Sequence, residues 1–178
     1  MKNTRKITVT AVSAALAFLL QLLGSVIGLK IGGFLEIEFS ELPAMICTFA
    51  YGPLFGLMVE LVKNLIHCGF TSTGFVGEFA NFLVNGIFVL TAGIIYKNNK
   101  TRNGALKSML VATVAMALAG ILSNLFITLP LYMKNAPFQT RLNLTLTLIT
   151  PFNLCKGIVI SFITFIIYKR LSPIIKGK

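Results

Sequence analysis

The sequence has few of the side chains that catalytic and metal centres require. Only 12% of its 178 residues are charged, acidic residues number five, and there is a single His, His67. No nucleophile lies at a recognisable spacing from this His. Cys68 lies beside it, but no further residue stands at the spacing that a metal site would require. A phosphate-binding G-x-x-x-x-G-K-[ST] sequence is also missing. We therefore expect no enzyme activity, no resident cofactor or metal, and no ATP site of the chain's own.

Cysteine is also scarce. Cys47, Cys68 and Cys155 lie far apart in apolar sequence. Their odd number and wide spacing fit neither a disulfide framework nor a metal motif. We predict that they are small buried hydrophobic residues.

Apolar residues dominate the composition instead. They make up 56% of the chain, and the mean hydropathy is +0.85. Several apolar runs approach or exceed the roughly 20 residues that a helix needs to cross a bilayer. A secretory signal peptide is the alternative for residues 1–27, but no small-residue cleavage site followed by a soluble domain is found. The sequence therefore predicts one all-α integral membrane domain over residues 1–178.

Four apolar spans can be placed directly, at residues 7–27, 75–96, 108–132 and 148–168. The stretch 41–70 is ambiguous. It can form one kinked helix over residues 42–62, or two helices that meet at Tyr51-Gly52-Pro53, because Gly-Pro is a strong helix breaker.

The basic residues decide between these alternatives. Most of them fall into three clusters, which are Lys2, Arg5 and Lys6, then Lys97, Lys100, Arg102 and Lys107, and then Lys169, Arg170, Lys176 and Lys178. Basic residues beside apolar spans mark cytoplasmic loops, so the net charge of +11 does not indicate that the protein binds nucleic acid. Two crossings within 41–70 place all three clusters on one side of the membrane. We therefore expect a six-transmembrane-helix bundle with both termini cytoplasmic.

The predicted second helix, residues 41–50, is too short to cross a bilayer alone at roughly 1.5 Å per residue. It must lie within the bundle or be extended by the preceding segment. On this topology the outer connections fall near residues 28–41, 67–77 and 133–147.

The first outer connection alternates apolar and polar side chains. Its apolar members are Phe34, Ile37 and Phe39, and its polar members are Glu36, Glu38 and Ser40. Such alternation predicts an extended or re-entrant segment. The segment can cap a pocket, or it can be an ordered loop in which Ser40 and Glu41 cap the second helix.

Polar side chains inside the spans are costly unless they face protein or a cavity. They are Lys63, Asn64, Glu78, Asn81, Asn85, Asn124, Asn153 and Lys156. Each of them alone can form a hydrogen bond between two helices, and Lys63 can extend towards the surface. Together they indicate a pocket for a polar, flat or polyhydroxylated small molecule, because no chain of carboxylates for ion transport accompanies them.

Helix one carries small residues at Ala11, Ser13, Ala14, Ala15 and Ala17. The Ala-x-x-x-Ala spacing of Ala11 and Ala15 lets another helix approach closely. That helix can belong to the chain's own bundle or to a partner protein.

Several short stretches of the chain, taken in order, resemble the sequences of one family of membrane proteins. They are Phe39-Ser-Glu-Leu-Pro-Ala44, Phe49-Ala-Tyr-Gly-Pro53, Leu61-Val-Lys-Asn64, Ala80-Asn-Phe82, Tyr96-Lys-Asn98, Leu129-Pro-Leu-Tyr132, Pro151-Phe-Asn-Leu-Cys-Lys-Gly157 and Tyr168-Lys-Arg-Leu171. As a set they resemble the substrate-binding subunits (S components) of energy-coupling factor (ECF) vitamin importers, most closely the riboflavin-specific branch. The resemblance covers nearly the whole chain. One departure is Glu78, where the pattern leads us to expect Pro.

The resemblance implies a six-helix bundle in a bacterial cell membrane that binds riboflavin between the first outer loop and helices four to six. The residues that match ligand contacts are Asn81, Asn124, Asn153 and Lys156, to which we add Phe39, Glu41 and Leu42 at the end of the capping loop. It also implies that Ala11 and Ala15 dock a transmembrane coupling subunit, which is joined to two cytoplasmic ATPases. FMN, another vitamin such as folate, thiamine or pantothenate, and a non-transporting membrane scaffold remain the alternatives.

Overall fold

The structure of the protein, a computed structural model, describes residues 2–27, 30–31, 35–36, 38–70 and 75–176. Phe34 and Ile37 of the predicted alternating segment lie outside the described residues. The first four helices are α1 (Lys2–Ile27), α2 (Glu41–Tyr51), α3 (Pro53–His67) and α4 (Val76–Asn98). Between α1 and α2, the strands β1 (Lys30–Ile31) and β2 (Leu35–Glu36) pair in antiparallel fashion.

The break between α2 and α3 confirms the prediction of two helices within 41–70. Gly52 has a φ of 115°, which favours glycine, and Pro53 is the first residue of α3. With 11 and 15 residues, α2 and α3 are each shorter than a full span. Most side chains of α2 are buried, so this helix lies within the bundle as expected.

The remaining chain forms two longer helical segments, each interrupted by one π-helical turn. The fifth segment comprises α5 (Arg102–Ser123), a π turn (Asn124–Thr128) and α6 (Leu129–Tyr132). The sixth comprises α7 (Phe138–Leu144), a second π turn (Thr145–Ile149) and α8 (Thr150–Lys176).

The predicted starts of the last two spans were wrong. The fifth segment begins at Arg102 instead of residue 108, where the Thr101 side chain accepts a hydrogen bond from the Gly104 backbone N–H. The sixth begins at Phe138 instead of residue 148, which shortens the predicted connection 133–147 to residues 133–137. Gln139 and Asn143 are exposed, so their polarity does not disfavour the helix. Polar residues marked the end of the apolar run and not the end of the helix.

Within the described residues, four helices are long and apolar enough to cross a membrane. They are Asn3–Ile27, Val76–Asn98, Arg102–Tyr132 and Phe138–Tyr168. The outward face of α5 carries Leu110, Val114, Leu118 and Leu122 at four-residue intervals, all exposed. A continuous apolar face of this kind suits contact with lipid.

Small residues allow the inner helices to approach closely. A Cβ added to Gly56 of α3 would lie 2.9 Å from the Ala44 carbonyl oxygen of α2. A Cβ added to Gly93 of α4 would lie 2.6 Å from Cγ2 of Thr48. The missing side chains let α2 lie close to α3 and α4, around a core that includes Met45, Phe88 and Met109.

Lys6 and Arg102, of the first two basic clusters, and Tyr168, beside the third, lie at one end of the bundle. The Lys6 ammonium lies 5.8 Å from the ring centroid of Phe55, near the start of α3. The Tyr96 and Tyr168 hydroxyls, at the ends of α4 and α8, hydrogen-bond to each other. The Arg102 guanidinium lies 5.0 Å from the ring centroid of Phe165.

Candidate functional site

A cavity of about 390 Å³ lies at the other end of the bundle, beside the start of α4. Its polar lining residues are Gln21, Glu36, Glu38, His67, Glu78, Asn81, Asn85, Asn124, Thr128, Asn153 and Lys156. Its larger apolar and aromatic lining residues are Leu35, Val84, Leu129, Tyr132, Met133, Ile149 and Phe152. This mixture suits a small molecule that has a flat apolar body and several hydrogen-bonding groups.

Four of the predicted contact residues line this cavity together. Asn81 comes from α4, Asn124 from the first π turn, and Asn153 and Lys156 from α8. Three helical segments that are distant in sequence therefore converge on one space.

The first π turn positions two of the polar side chains. A π turn inserts one extra residue into a helix and commonly marks functional sites. Asn124 and Thr128, at its two ends, both line the cavity. The Asn124 amide also donates to the Gly120 carbonyl oxygen at 2.8 Å, which fixes its orientation.

Gly120 of α5 provides the room for Asn153. A Cβ added to Gly120 would lie 2.3 Å from the Asn153 amide nitrogen, well inside van der Waals contact. Only the missing side chain at this position lets Asn153 lie between α5 and α8 at the cavity wall.

Glu38 connects two of the predicted contact residues. Its Oε1 accepts a hydrogen bond from the Asn81 amide at 3.0 Å and lies 3.3 Å from the Lys156 ammonium. Burial alone would raise the pKa of the Glu38 carboxyl, but Lys156 and Lys63 outweigh it and hold the pKa below its usual range. Glu38 is therefore ionised at neutral pH, and its carboxylate can only accept hydrogen bonds.

Glu41, the first residue of α2, joins that helix to the same network. Its Oε1 lies 2.8 Å from the Lys156 ammonium and accepts from the Asn85 amide, also at 2.8 Å. The Asn85 amide also donates to the side-chain oxygen Oδ1 of Asn81 at 2.9 Å. Helices α2, α4 and α8 are thus joined by one set of polar contacts.

Behind the cavity wall, the buried Lys63 completes the network. Its ammonium lies 2.9 Å from Glu60 Oε2 and 3.5 Å from Glu41 Oε1, and all three side chains are fully buried. It also donates to the Ser40 hydroxyl at 2.5 Å. The alternative in which the Ser40 side chain caps α2 was therefore wrong, since this side chain makes no capping hydrogen bond. The nearby ammonium is the stronger partner for the hydroxyl oxygen.

Phe39, Glu41 and Leu42 are not among the lining residues of this cavity. Phe39 is 41% exposed, Glu41 is fully buried beside Lys156, and Leu42 packs against the apolar core. Direct ligand contact by these three side chains stays a prediction.

Several lining residues were not among the predicted contacts. Gln21 is the most notable, because it is a buried polar side chain within the apolar stretch of α1, and that signal could have identified it. His67 and Glu78 pair across α3 and α4, with 3.1 Å between Nδ1 and Oε1. This pair gives Glu78, the departure from the family pattern, a partner in the wall of the cavity.

The small residues of α1 divide into two sets. Ala14 and Ala17 are buried in the core, whereas Ala11 and Ala15 are exposed. Ala11 and Ala15 thus lie on a face that the chain's own bundle leaves uncovered.

Within the described residues, no group of three or more His, Cys, Asp or Glu side chains is arranged to hold a metal ion. The free thiols there are those of Cys47, which is buried, Cys68, which is half-buried, and Cys155, which is exposed. The prediction that all three are buried was therefore confirmed for Cys47, only partly right for Cys68 and wrong for Cys155. Lipid can surround an exposed apolar side chain on an outward helix face, so burial in protein was not required.

Comparison with known proteins identifies relatives across the whole chain. Residues 5–168 match the family model described as ECF transporter, substrate-specific component. The riboflavin transporter RibU of Staphylococcus aureus is 37% identical over 179 residues, which cover 98% of this chain and 94% of that protein. The riboflavin transporter FmnP of Bacillus subtilis is 32% identical over 180 residues, covering 96% and 94%.

Solved structures share the fold. A structure described as the S component of a bacterial ECF transporter has a TM-score of 0.82 and 34% identity, and covers 98% of both chains. ThiT from Listeria monocytogenes has a TM-score of 0.64 over 99% of both chains, but its identity of 18% indicates a shared fold alone.

Proposed function

The chain belongs to the family of ECF transporter substrate-specific components, and we propose that it is the riboflavin-binding subunit of such an importer. The observation that carries the proposal is the convergence of Asn81, Asn124, Asn153 and Lys156 on one cavity. Relatives at 37% and 32% identity that are riboflavin transporters support the same ligand.

The chemistry of the cavity suits a flavin. Phe152, Leu129 and Val84 offer apolar surface to a flat tricyclic ring. The amides and the Lys156 ammonium can bond to the pyrimidine edge and to the ribityl hydroxyls, because an Asn amide both donates and accepts. We therefore assign riboflavin ahead of folate, thiamine or pantothenate.

The chain works with partner subunits in this proposal. A transmembrane coupling subunit contacts the exposed face of α1 at Ala11 and Ala15, and two cytoplasmic ATPases supply the energy. The whole chain forms a single domain that is embedded in a bacterial cell membrane, with the cavity at the outer side and both termini cytoplasmic. The gathering of Lys6, Arg102 and the ends of α4 and α8 at the opposite end supports this orientation.

Quenching of flavin fluorescence on titration with the detergent-purified protein tests the assignment. We expect saturable riboflavin binding of submicromolar affinity, corresponding to roughly −8 kcal/mol or better. Competition by excess folate, thiamine and pantothenate serves as the specificity control, and none should displace the flavin. Folded protein that gives no saturable quenching, or that releases riboflavin to one of the competitors, would exclude a riboflavin-specific subunit.

A further inference from the structure

Only one of the two carboxylate oxygens of Glu38 has hydrogen-bond partners among the described residues. Its Oε1 is used twice, as the acceptor for Asn81 and as the partner of Lys156. Its Oε2 is buried and has no hydrogen-bond partner among the described residues. The side chain as a whole is only 4% exposed.

An ionised carboxylate oxygen that is buried without a donor costs free energy, because it has lost water and gained nothing in exchange. Glu38 cannot easily turn away, since Asn81 and Lys156 hold its other oxygen. All three side chains line the cavity. The unused acceptor therefore belongs to a side chain that lines the space in which the ligand is proposed to lie.

We propose that Glu38 is a further ligand-binding residue, whose Oε2 accepts a hydrogen bond from an N–H or O–H group of the bound molecule. The inference rests on the proposed function and refines it. A flavin carries both kinds of donor, in the imide N–H of its pyrimidine ring and in its ribityl hydroxyls. A hydrogen bond to a carboxylate is stronger than one between neutral groups, so the site favours ligands that carry a donor at this point.

Glu38 could instead act only as a positioning residue for Asn81 and Lys156. In that role its loss would weaken every ligand of the cavity by a similar factor. In direct contact its loss would weaken ligands that carry the contacted donor more than ligands that lack it. The coupling between a protein change and a ligand change separates the two roles.

The experiment compares the affinities of the unaltered protein and of Glu38→Gln for three flavins. Riboflavin carries both donors, 3-methylriboflavin lacks the ring N–H, and lumiflavin lacks the ribityl hydroxyls. We expect Glu38→Gln to weaken riboflavin binding by about tenfold or more. This factor should be clearly smaller for the analogue that lacks the contacted donor, which also identifies the donor.

Glu60→Gln is the matched control, because Glu60 is a buried carboxylate of the same network that does not line the cavity. Any loss that it causes should be the same for all three flavins. If Glu38→Gln does not fold, Glu38→Asp gives the same comparison, since it keeps the charge and withdraws the carboxylate by one methylene.

An equal change in affinity for all three flavins, including no change at all, would overturn direct contact by Glu38. Failure of the unaltered protein to bind riboflavin would overturn the proposed function, and this inference with it. The two failures are distinguished by the titration of the unaltered protein alone.

Discussion

The amide side chains at the cavity differ in how far the protein itself uses them. Asn81 and Asn85 are held by each other and by Glu38 and Glu41. Changing either would disturb the charged network as well as the cavity. Asn153 is outside that set of contacts and lies against Gly120, so it gives the cleaner test of ligand contact.

We predict that Asn153→Ala weakens riboflavin binding by about 1 to 3 kcal/mol, because a buried polar group of the ligand loses its partner. Titration by fluorescence quenching measures the change. The control is Asn143→Ala, which removes an exposed amide from the same helical segment and should leave the affinity unaltered. Equal affinities for Asn153→Ala and the unaltered protein would place the ligand away from α8.

Lys63 affects stability more than binding, since it lies behind the cavity wall and holds Glu60 and Glu41. Lys63→Met should lower the free energy of unfolding by about 3 to 5 kcal/mol, because two buried carboxylates lose their cation. Thermal unfolding in detergent shows the change as a lower Tm. The double variant Lys63→Met, Glu60→Gln should recover part of the loss, and a double variant less stable than Lys63→Met would contradict the ion-pair explanation.

The location of these polar residues could be predicted from the sequence, but their partners could not. Asn or Lys inside an apolar span is costly, so the residues around the cavity could be recognised individually. Glu38 precedes α2 by three positions, yet it meets Asn81 and Lys156, which are far away in the chain. Such contacts depend on how the helices pack, and local sequence carries no signal for them.

At the scale of helices, α5 and α8 are brought together where Gly120 faces Asn153. Gly120→Ala should displace Asn153 and weaken riboflavin binding, since the added Cβ would lie 2.3 Å from its amide nitrogen. The matched control is Gly69→Ala, whose Cβ would meet only the Ile66 carbonyl oxygen at an ordinary 3.5 Å. Fluorescence titration of both variants checks the prediction, which fails if Gly120→Ala binds as tightly as Gly69→Ala.

Helix α1 presents two faces that can be tested against each other. Ala11→Trp and Ala15→Trp should preserve flavin binding but abolish co-purification with the coupling subunit, because a bulky side chain holds the partner helix away. Ala14→Trp and Ala17→Trp should instead destabilise the bundle, since both positions are buried. Loss of flavin binding in Ala11→Trp or Ala15→Trp would remove this face as the docking surface.

The helices themselves were predictable to different degrees. Gly52-Pro53 located the break between α2 and α3, because a positive φ and a missing N–H leave little alternative. The early start of the sixth segment at Phe138 was missed, since exposed polar residues can continue a helix beyond the apolar run. The two π turns were not predicted either, because they reflect a local shift in backbone hydrogen bonding that hydropathy does not report.

At the scale of the whole molecule, the cavity lies at one end of the bundle, and Lys6, Arg102 and the ends of α4 and α8 lie at the other. Cysteine labelling tests the proposed orientation in a variant whose Cys47, Cys68 and Cys155 are replaced. A membrane-impermeant reagent applied to intact cells should label Asn135→Cys, in the connection between α6 and α7, and should not label Asn99→Cys, between α4 and α5. The reverse pattern would invert the bundle, and labelling of both would break the six-helix topology.

Import by this chain should require its partners. The sequence contains no G-x-x-x-x-G-K-[ST] motif of its own, so uptake against a gradient depends on the ATPases that reach it through the coupling subunit. Proteoliposomes that hold the chain alone should bind riboflavin without accumulating it. ATP-driven accumulation by the chain alone would contradict the proposed division of labour.

Riboflavin binding by this chain is tested most directly by the absorbance of the protein itself, purified from cells grown with riboflavin. We expect a yellow protein with an equimolar flavin that co-elutes with the folded chain and is released when the chain unfolds. A folded protein that is colourless, and that takes up no flavin when riboflavin is added back, would contradict riboflavin binding by this chain.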